Sequence, residues 1–246
     1  MTSTRLPSST EDGIAHIRPY FQPIVESATG RIYGAEALLR MPGLTECDKL
    51  FRRWESTGEV ALVDTTMARR IHACLSRQRL PGVLTLNVSA LTIALSPDPY
   101  LASVAPLLDV AESVIVEITE TFPILATQTL ADFVRECKQL GLGVAFDDCT
   151  PSHELCTPAA LEQIQPDMIK LDGGFVMQAY KSGLVEPVSA IIDMAIASGA
   201  LVVAEHIETP DMWSWARALG AQTLQGYCFS PAVPITDFPF TITSAG

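Results

Sequence analysis

The sequence predicts an α/β protein folded as an eight-stranded barrel whose first strand runs against its neighbour. Three observations carry this. Eight short, β-branched apolar runs recur along the chain, helix-like stretches separate most of them, and the first two runs are joined by residues 26–30 alone. A barrel of this class routinely occupies about 250 residues as one unit, close to the 246 present.

The runs lie at 20–25, 31–40, 83–90, 114–120, 143–149, 168–173, 201–207 and 223–230. A parallel crossover needs a dozen or more residues, so the connection at 26–30 makes the first pair an antiparallel hairpin. Helix-period segments follow at 60–79, 99–108, 127–140, 157–163, 184–198 and 210–219, which is the alternation of a parallel barrel. Gly141 and Gly199 end helical stretches where a left-handed residue closes the last turn, and Pro158 and Pro210 stand near first-turn positions. Leu201-Val202-Val203-Ala204 is apolar on both faces, as a buried parallel strand should be. With no Pro/Gly/Ser-rich linker, repeat or low-complexity tract, residues 16–246 read as one domain behind a polar, frayed leader at 1–15.

Composition narrows the function. Hydrophobic residues make up 48% of the chain, yet no apolar run approaches the roughly 18 residues that cross a bilayer. No membrane insertion is expected. The leader lacks the basic flank and apolar stretch of a secretory signal. Cys47, Cys74, Cys137, Cys149, Cys156 and Cys228 are scattered without a CxxC pair, so reduced thiols and a cytoplasmic location are expected. A formal charge of −12 speaks against non-specific nucleic-acid or anionic-membrane binding, which recruits phosphates with clustered Lys and Arg. An acidic protein that handles a phosphate ligand needs metal ions.

The apolar runs lead into polar residues: Glu36, Asn87, Glu117, Asp147 with Asp148, Lys170, Glu205 and Gln225. Strand C-termini share one barrel face, where such folds assemble active sites, so these residues should converge. Five carboxylates at low dielectric repel one another until some become neutral, unless cations intervene. Oxygen donors without Cys or His suit Mg²⁺ or Mn²⁺. An adjacent pair such as Asp147-Asp148 can serve two ions about 3.5–4 Å apart, and Lys170 would orient or help activate a water. Taken singly, each residue has a plainer reading. A strand-end Glu is commonly solvated or an N-cap, Lys170 could pair with Asp172, Asn87 could sit in a turn, and Asp147-Asp148 could cap the next helix, although Thr157 stands nearer to it.

Phe21-Gln22-Pro23-Ile24-Val25 and Gly34-Ala35-Glu36-Ala37-Leu38-Leu39-Arg40 resemble the opening and the signature of the EAL-domain phosphodiesterases of bacterial cyclic-di-GMP signalling. Leu86-Asn87-Val88-Ser89, Val116-Glu117-Ile118-Thr119-Glu120, Phe146-Asp147-Asp148, Ile169-Lys170-Leu171-Asp172, Val203-Ala204-Glu205-His206-Ile207-Glu208-Thr209 and Gln225-Gly226-Tyr227 follow in family order. The resemblance implies a modified TIM (β/α)8 barrel with the first strand antiparallel, hydrolysing cyclic-di-GMP to linear pGpG with two ions, Mg²⁺ or Mn²⁺. It assigns Glu36, Asn87, Glu117 and Asp147 to metal and Asp148 to the second ion. Lys170 and Glu205 would support the nucleophilic water with Gln225 nearby. Gln22, Arg40 and Asp172 would contact the ligand, Arg40 as a phosphate anchor, while Glu120 and Glu208 would support the loop after the Asp pair.

That loop departs from the family. Cys149-Thr150-Pro151-Ser152-His153-Glu154-Leu155 contains no glycine where the family is glycine-rich, so its backbone should take another path. In the family the loop supports the metal site and couples it to dimerisation. The connection after Arg40 is shortened to residues 41–49, and His206 replaces a usual glycine. The alternative function is therefore a non-catalytic EAL module that binds cyclic-di-GMP or a regulatory protein partner. A homodimer through the apolar face of 184–198 is the alternative to packing of that face on the barrel. Cys149, His153 and Cys156 add a further option, a zinc site or redox switch with three soft ligands and no fourth.

Overall fold

A computed structural model describes residues 10–43, 47–119 and 127–242. Its strands are β1 (Arg18–Glu26), β2 (Ile32–Arg40), β3 (Val83–Ser89), β4 (Ser113–Thr119), β5 (Gly143–Cys149), β6 (Met168–Leu171), β7 (Leu201–Ala204) and β8 (Thr223–Gln225). They close a barrel in sequence order. β1 is antiparallel to both β2 and β8, and every other pairing is parallel.

The expected helices form: α3 (Val60–Leu75), α5 (Pro97–Val104) running into a 3₁₀ turn, α6 (Thr127–Gln139), α7 (Pro158–Ile164), α9 (Glu186–Ala197) and α10 (Pro210–Ala218). Thr157 and Thr209 cap α7 and α10, each accepting a backbone N–H at 3.2 Å. Gly141 and Gly199 have φ of 82° and 85°, as their places after helices require. The apolar side of α9, with Val188, Ile191, Ile192 and Ala195 buried, lies in the main core. It therefore packs on the barrel.

Four helices escaped the sequence reading: α1 (Thr10–His16), α2 (Cys47–Thr57), α4 (Ala90–Leu95) and α8 (Gly173–Ser182). α1 takes up part of the expected leader. α4 begins where Ser89 leaves β3 and caps the turn, its hydroxyl accepting from Leu91 N–H at 3.3 Å. α8 opens on Gly173-Gly174, poor helix formers, and depends on Asp172, whose carboxylate accepts from Phe175 N–H at 2.7 Å.

Period-two alternation along the strands explains how the barrel fills. Ile24, Ile115, Ala145, Met168 and Val203 form one apolar cluster in its interior. Two residues along each of these strands toward the open face stand Gln22, Glu117, Asp147, Lys170 and Glu205. The same step leads from Gly34 to Glu36, Thr85 to Asn87 and Thr223 to Gln225. Every strand, or for β7 the residue just after it, thus contributes one polar side chain to a single layer above the apolar one. Outward residues such as Leu84, Val116, Val144 and Phe146 pack under the helices. β2 and β3 come so close that a Cβ on Gly34 would lie 2.0 Å from the Val83 carbonyl oxygen.

Candidate active site

The polar layer centres on Lys170, which is 1% exposed. Its Nζ lies 3.1 Å from Glu36 Oε2, 2.7 Å from Glu117 Oε2, 3.1 Å from Asp147 Oδ1 and 2.8 Å from Glu205 Oε1. Glu36 is held from two further sides. Gln225 Nε2 donates to Oε2 at 2.7 Å and Asn87 Nδ2 donates to Oε1 at 3.0 Å. Register prepares these meetings, since Gln22 faces Glu36 across β1–β2, Ile24 faces Gln225 across β1–β8, and Asn87 stands level with Glu117.

The four carboxylates share one ammonium, so full ionisation would leave three negative charges uncompensated in a buried space. Burial works against ionisation of Glu36, Glu117 and Glu205, and their partners decide the outcome. Glu36 is held below the usual range because Lys170 and the Gln225 and Asn87 amides overcome its desolvation. Glu117 is pushed well up by burial and by Glu36 beside it. Glu205 rises to about 8, again by burial first, with Lys170 opposing and Asp147 and Glu36 adding to the rise. For Lys170, burial favours loss of the proton, but Asp147, Glu117, Glu205 and Glu36 more than offset it.

Three oxygens in this layer, Asn87 Oδ1, Glu117 Oε1 and Gln225 Oε1, are buried and accept no hydrogen bond among the described residues, and buried Asp147 Oδ1 has the Lys170 ammonium at 3.1 Å. Asp147, Asp148 and Glu205 each offer an oxygen within 4.8 Å of the others. Unused oxygen lone pairs and excess negative charge fit a hard divalent cation. A β-bulge brings the adjacent Asp residues to this end of β5. Phe146 pairs with Ile169 and Cys149 with Leu171, so Asp147 and Asp148 together oppose Lys170, and Asp148 adopts φ 51°.

A cleft of about 280 Å³ opens over the layer, walled by Gln22, Arg40, His206, Glu208 and Tyr227. Asp148 lies instead on an adjoining cavity of about 270 Å³ that shares Leu38, Arg40 and Asn87 with the cleft. Asp172 is used as the α8 cap and is absent from both linings. Glu120 lies outside the described residues. His206, at φ 54°, lays its ring against Gly173, where a Cβ would fall 1.7 Å from Nδ1.

Sequence reasoning passed over Asp64, which lines the second cavity from the second turn of α3. Its carboxyl is raised to about 7, chiefly by burial, although Thr92 Oγ1 and Ser89 N–H donate to it. An available signal was an acid four residues after Val60 and three before Met67, on the helix's apolar face. The expectation of reduced thiols is corrected at one place: Cys149 and Cys156 are joined by a disulfide, while Cys74, Cys137 and Cys228 are free.

The sequence profile described as EAL domain matches residues 8–232. The chain belongs to the EAL-domain family. This EAL domain is 29% identical over 238 residues to an uncharacterized protein of Mycobacterium tuberculosis, covering 89% of this chain and 76% of that protein. It is 26% identical over 229 residues to the probable cyclic di-GMP phosphodiesterase PdeN of Escherichia coli, covering 89% of this chain and 44% of that one. Among solved structures, the c-di-GMP complex of the PaMucR phosphodiesterase is 26% identical, with a TM-score of 0.74 over 90% of this EAL domain and 98% of that chain.

Proposed function

We propose that this EAL domain hydrolyses one phosphodiester of cyclic-di-GMP, releasing linear pGpG, with two divalent ions, Mg²⁺ or Mn²⁺. The observation that carries the reading is the polar layer itself: four carboxylates around one buried lysine, with buried oxygens of Asn87 and Glu117 accepting no hydrogen bond among the described residues. The names of relatives such as PdeN support the substrate.

In this reading Glu36, Asn87, Glu117 and Asp147 hold one ion and Asp148 serves the second. Bound there, such ions supply Lewis acidity and lower the pKa of a water. The chain's own residues do the rest. The Gln225 and Asn87 amides fix Glu36. Lys170 orients the nucleophilic water and stabilises negative charge that develops beside it. Glu205, 2.8 Å from Lys170, takes the water's proton when ionised. Gln22 and Arg40, on the cleft wall, orient the ligand, with the guanidinium binding phosphate oxygens. A cytoplasmic site of action and a homodimer or regulatory partner belong to the same proposal.

A second reading, a receptor without turnover, is favoured by one feature, the glycine-free segment after Asp148. Incubation of the purified protein with cyclic-di-GMP and Mg²⁺ or Mn²⁺, with pGpG followed by chromatography, separates the two. Product that disappears in Glu36→Ala supports the enzyme. Tight binding without product establishes the receptor.

A further inference from the structure

The segment that follows the Asp147-Asp148 bulge is a small closed ring. Cys149 and Cys156, seven residues apart in sequence, are bonded with Cα atoms 6.1 Å apart. Both are buried, at 0% and 6% exposure, and buried His153 sits between them. A His153 ring nitrogen and both sulfurs lie within 4.8 Å of one another, and His153 Nδ1 accepts Leu155 N–H at 3.2 Å. Inside the ring, His153 N–H donates to the Thr150 carbonyl and Cys156 N–H to the His153 carbonyl, both at 3.0 Å. One end of the ring is anchored in the barrel, because Cys149 pairs with Leu171 of β6. The residue before that anchor is Asp148.

We propose that Cys149 and Cys156 are a reversible oxidation site, closed by peroxide and opened by dithiols, whose closed form holds Asp148 at the divalent-metal cluster. The role given to Asp148 rests on the proposed function above. The coupling rests on backbone. At φ 51° Asp148 occupies the left-handed region, which residues other than glycine adopt uncommonly although Asp does so more readily than most, so enforcement by the surrounding chain helps to hold it there. The ring removes torsional freedom from Thr150 to Leu155, which contain no glycine, and so supplies that enforcement on the C-terminal side. Opened, the segment keeps its turns and the pairing of Cys149 with β6 but loses the covalent constraint between its ends, which gives the bulge more freedom to relax.

The chemistry closes without a further partner. The Cys156 thiol passes its proton to His153, and the sulfur attacks one peroxide oxygen, breaking the O–O bond. The departing hydroxide recovers the proton from His153 as water, leaving a sulfenic acid on Cys156. Cys149 sulfur then attacks the Cys156 sulfur. The S–S bond forms, the S–O bond breaks, and the hydroxyl leaves with the Cys149 proton as a second water. The two sulfurs lose two electrons and the peroxide gains them.

The test treats the whole chain with hydrogen peroxide or with dithiothreitol, each then removed. Mass spectrometry and thiol titration read the bond, and electron paramagnetic resonance reads Mn²⁺ affinity. The expected result is a peroxide-treated chain lighter by two hydrogens, a 149–156 cross-linked peptide, and Mn²⁺ bound at least about fivefold more tightly than by the reduced chain, the low end of ordinary couplings between sites. Cys156→Ser should bind Mn²⁺ as the reduced chain does under both treatments. The wild-type comparison stands even if that variant folds poorly. Thiols unchanged by peroxide, or equal Mn²⁺ affinity in both forms, overturn the proposal. So does one zinc per reduced chain that is lost in Cys156→Ser, which makes the cluster a soft-metal site. Mn²⁺ bound by neither form removes the metal cluster itself and the coupling with it, an outcome distinct from equal, measurable affinities.

Discussion

Replacing Lys170 with methionine keeps most of the length and bulk of the side chain and removes the ammonium, with its charge and its donors. Four carboxylate oxygens within 2.7–3.1 Å of Nζ then lose their common cation. At an effective dielectric of about 20, two unit charges about 4 Å apart interact by about 4 kcal/mol, which is the gross attraction per pair. The net cost of stripping one partner from a buried ion pair is about 3–5 kcal/mol, and that is the loss expected of the metal-free variant near neutral pH. It is not four times larger because Glu117 and Glu205, already raised by burial and by neighbouring acids, take up protons once Lys170 stops opposing them. The sign with pH follows. A carboxyl raised in the folded state binds more protons there than when unfolded, so its stability is present below about 4.5 and lost as pH rises toward the raised value. Urea unfolding in chelator, at about pH 5 and about pH 8, should show a deficit in Lys170→Met that shrinks at the lower pH. A deficit below about 1 kcal/mol at pH 8, or one that grows on acidification, would refute the assignment of Lys170 as the charge that holds the layer together.

The wild type carries a gentler form of the same dependence. With Glu205 near 8, metal-free melting temperature should fall between about pH 5 and about pH 8, and saturating Mn²⁺ should flatten the fall; a rising curve in chelator contradicts the shift. Asp172→Ala should cost about 1 kcal/mol through loss of the α8 cap and leave KM for cyclic-di-GMP unchanged. A KM raised about tenfold would show that Asp172 does contact the ligand. Gly34→Ala should destabilise by at least about 2 kcal/mol, since its Cβ would meet the Val83 carbonyl; an unchanged melting temperature would mean that β2 and β3 separate freely.

Much of this arrangement was legible because a barrel strand must be apolar on its outer face and carries its chemistry at fixed intervals. Ile115 and Glu117, Ala145 and Asp147, Met168 and Lys170, Val203 and Glu205 repeat one two-residue step on four strands. The step is visible in sequence once the strands are located. Strand ends were harder. Runs read as continuing to residues 207 and 230 stop at Ala204 and Gln225, because the apolar pattern persists through Ile207 and Phe229 while the ladder does not. α8 was hidden by its opening glycines and α4 by residues that continue the character of β3. The four contacts of Lys170 and the exchange of bulk between His206 and Gly173 depend on distances between segments remote in sequence. No local pattern encodes them.

The reversed direction of β1 has an engineering consequence. In an all-parallel barrel the chain enters at the face away from the chemistry. Here Arg18, the first residue of β1, pairs with Arg40, the last of β2, so entry is on the side where the strands β2–β8 end and the cleft opens. A sensor or fluorescent module fused upstream of α1 would stand near the mouth of the cleft. Linker length at that junction would then adjust ligand access directly, and a rigid fusion should hinder entry where a flexible one does not.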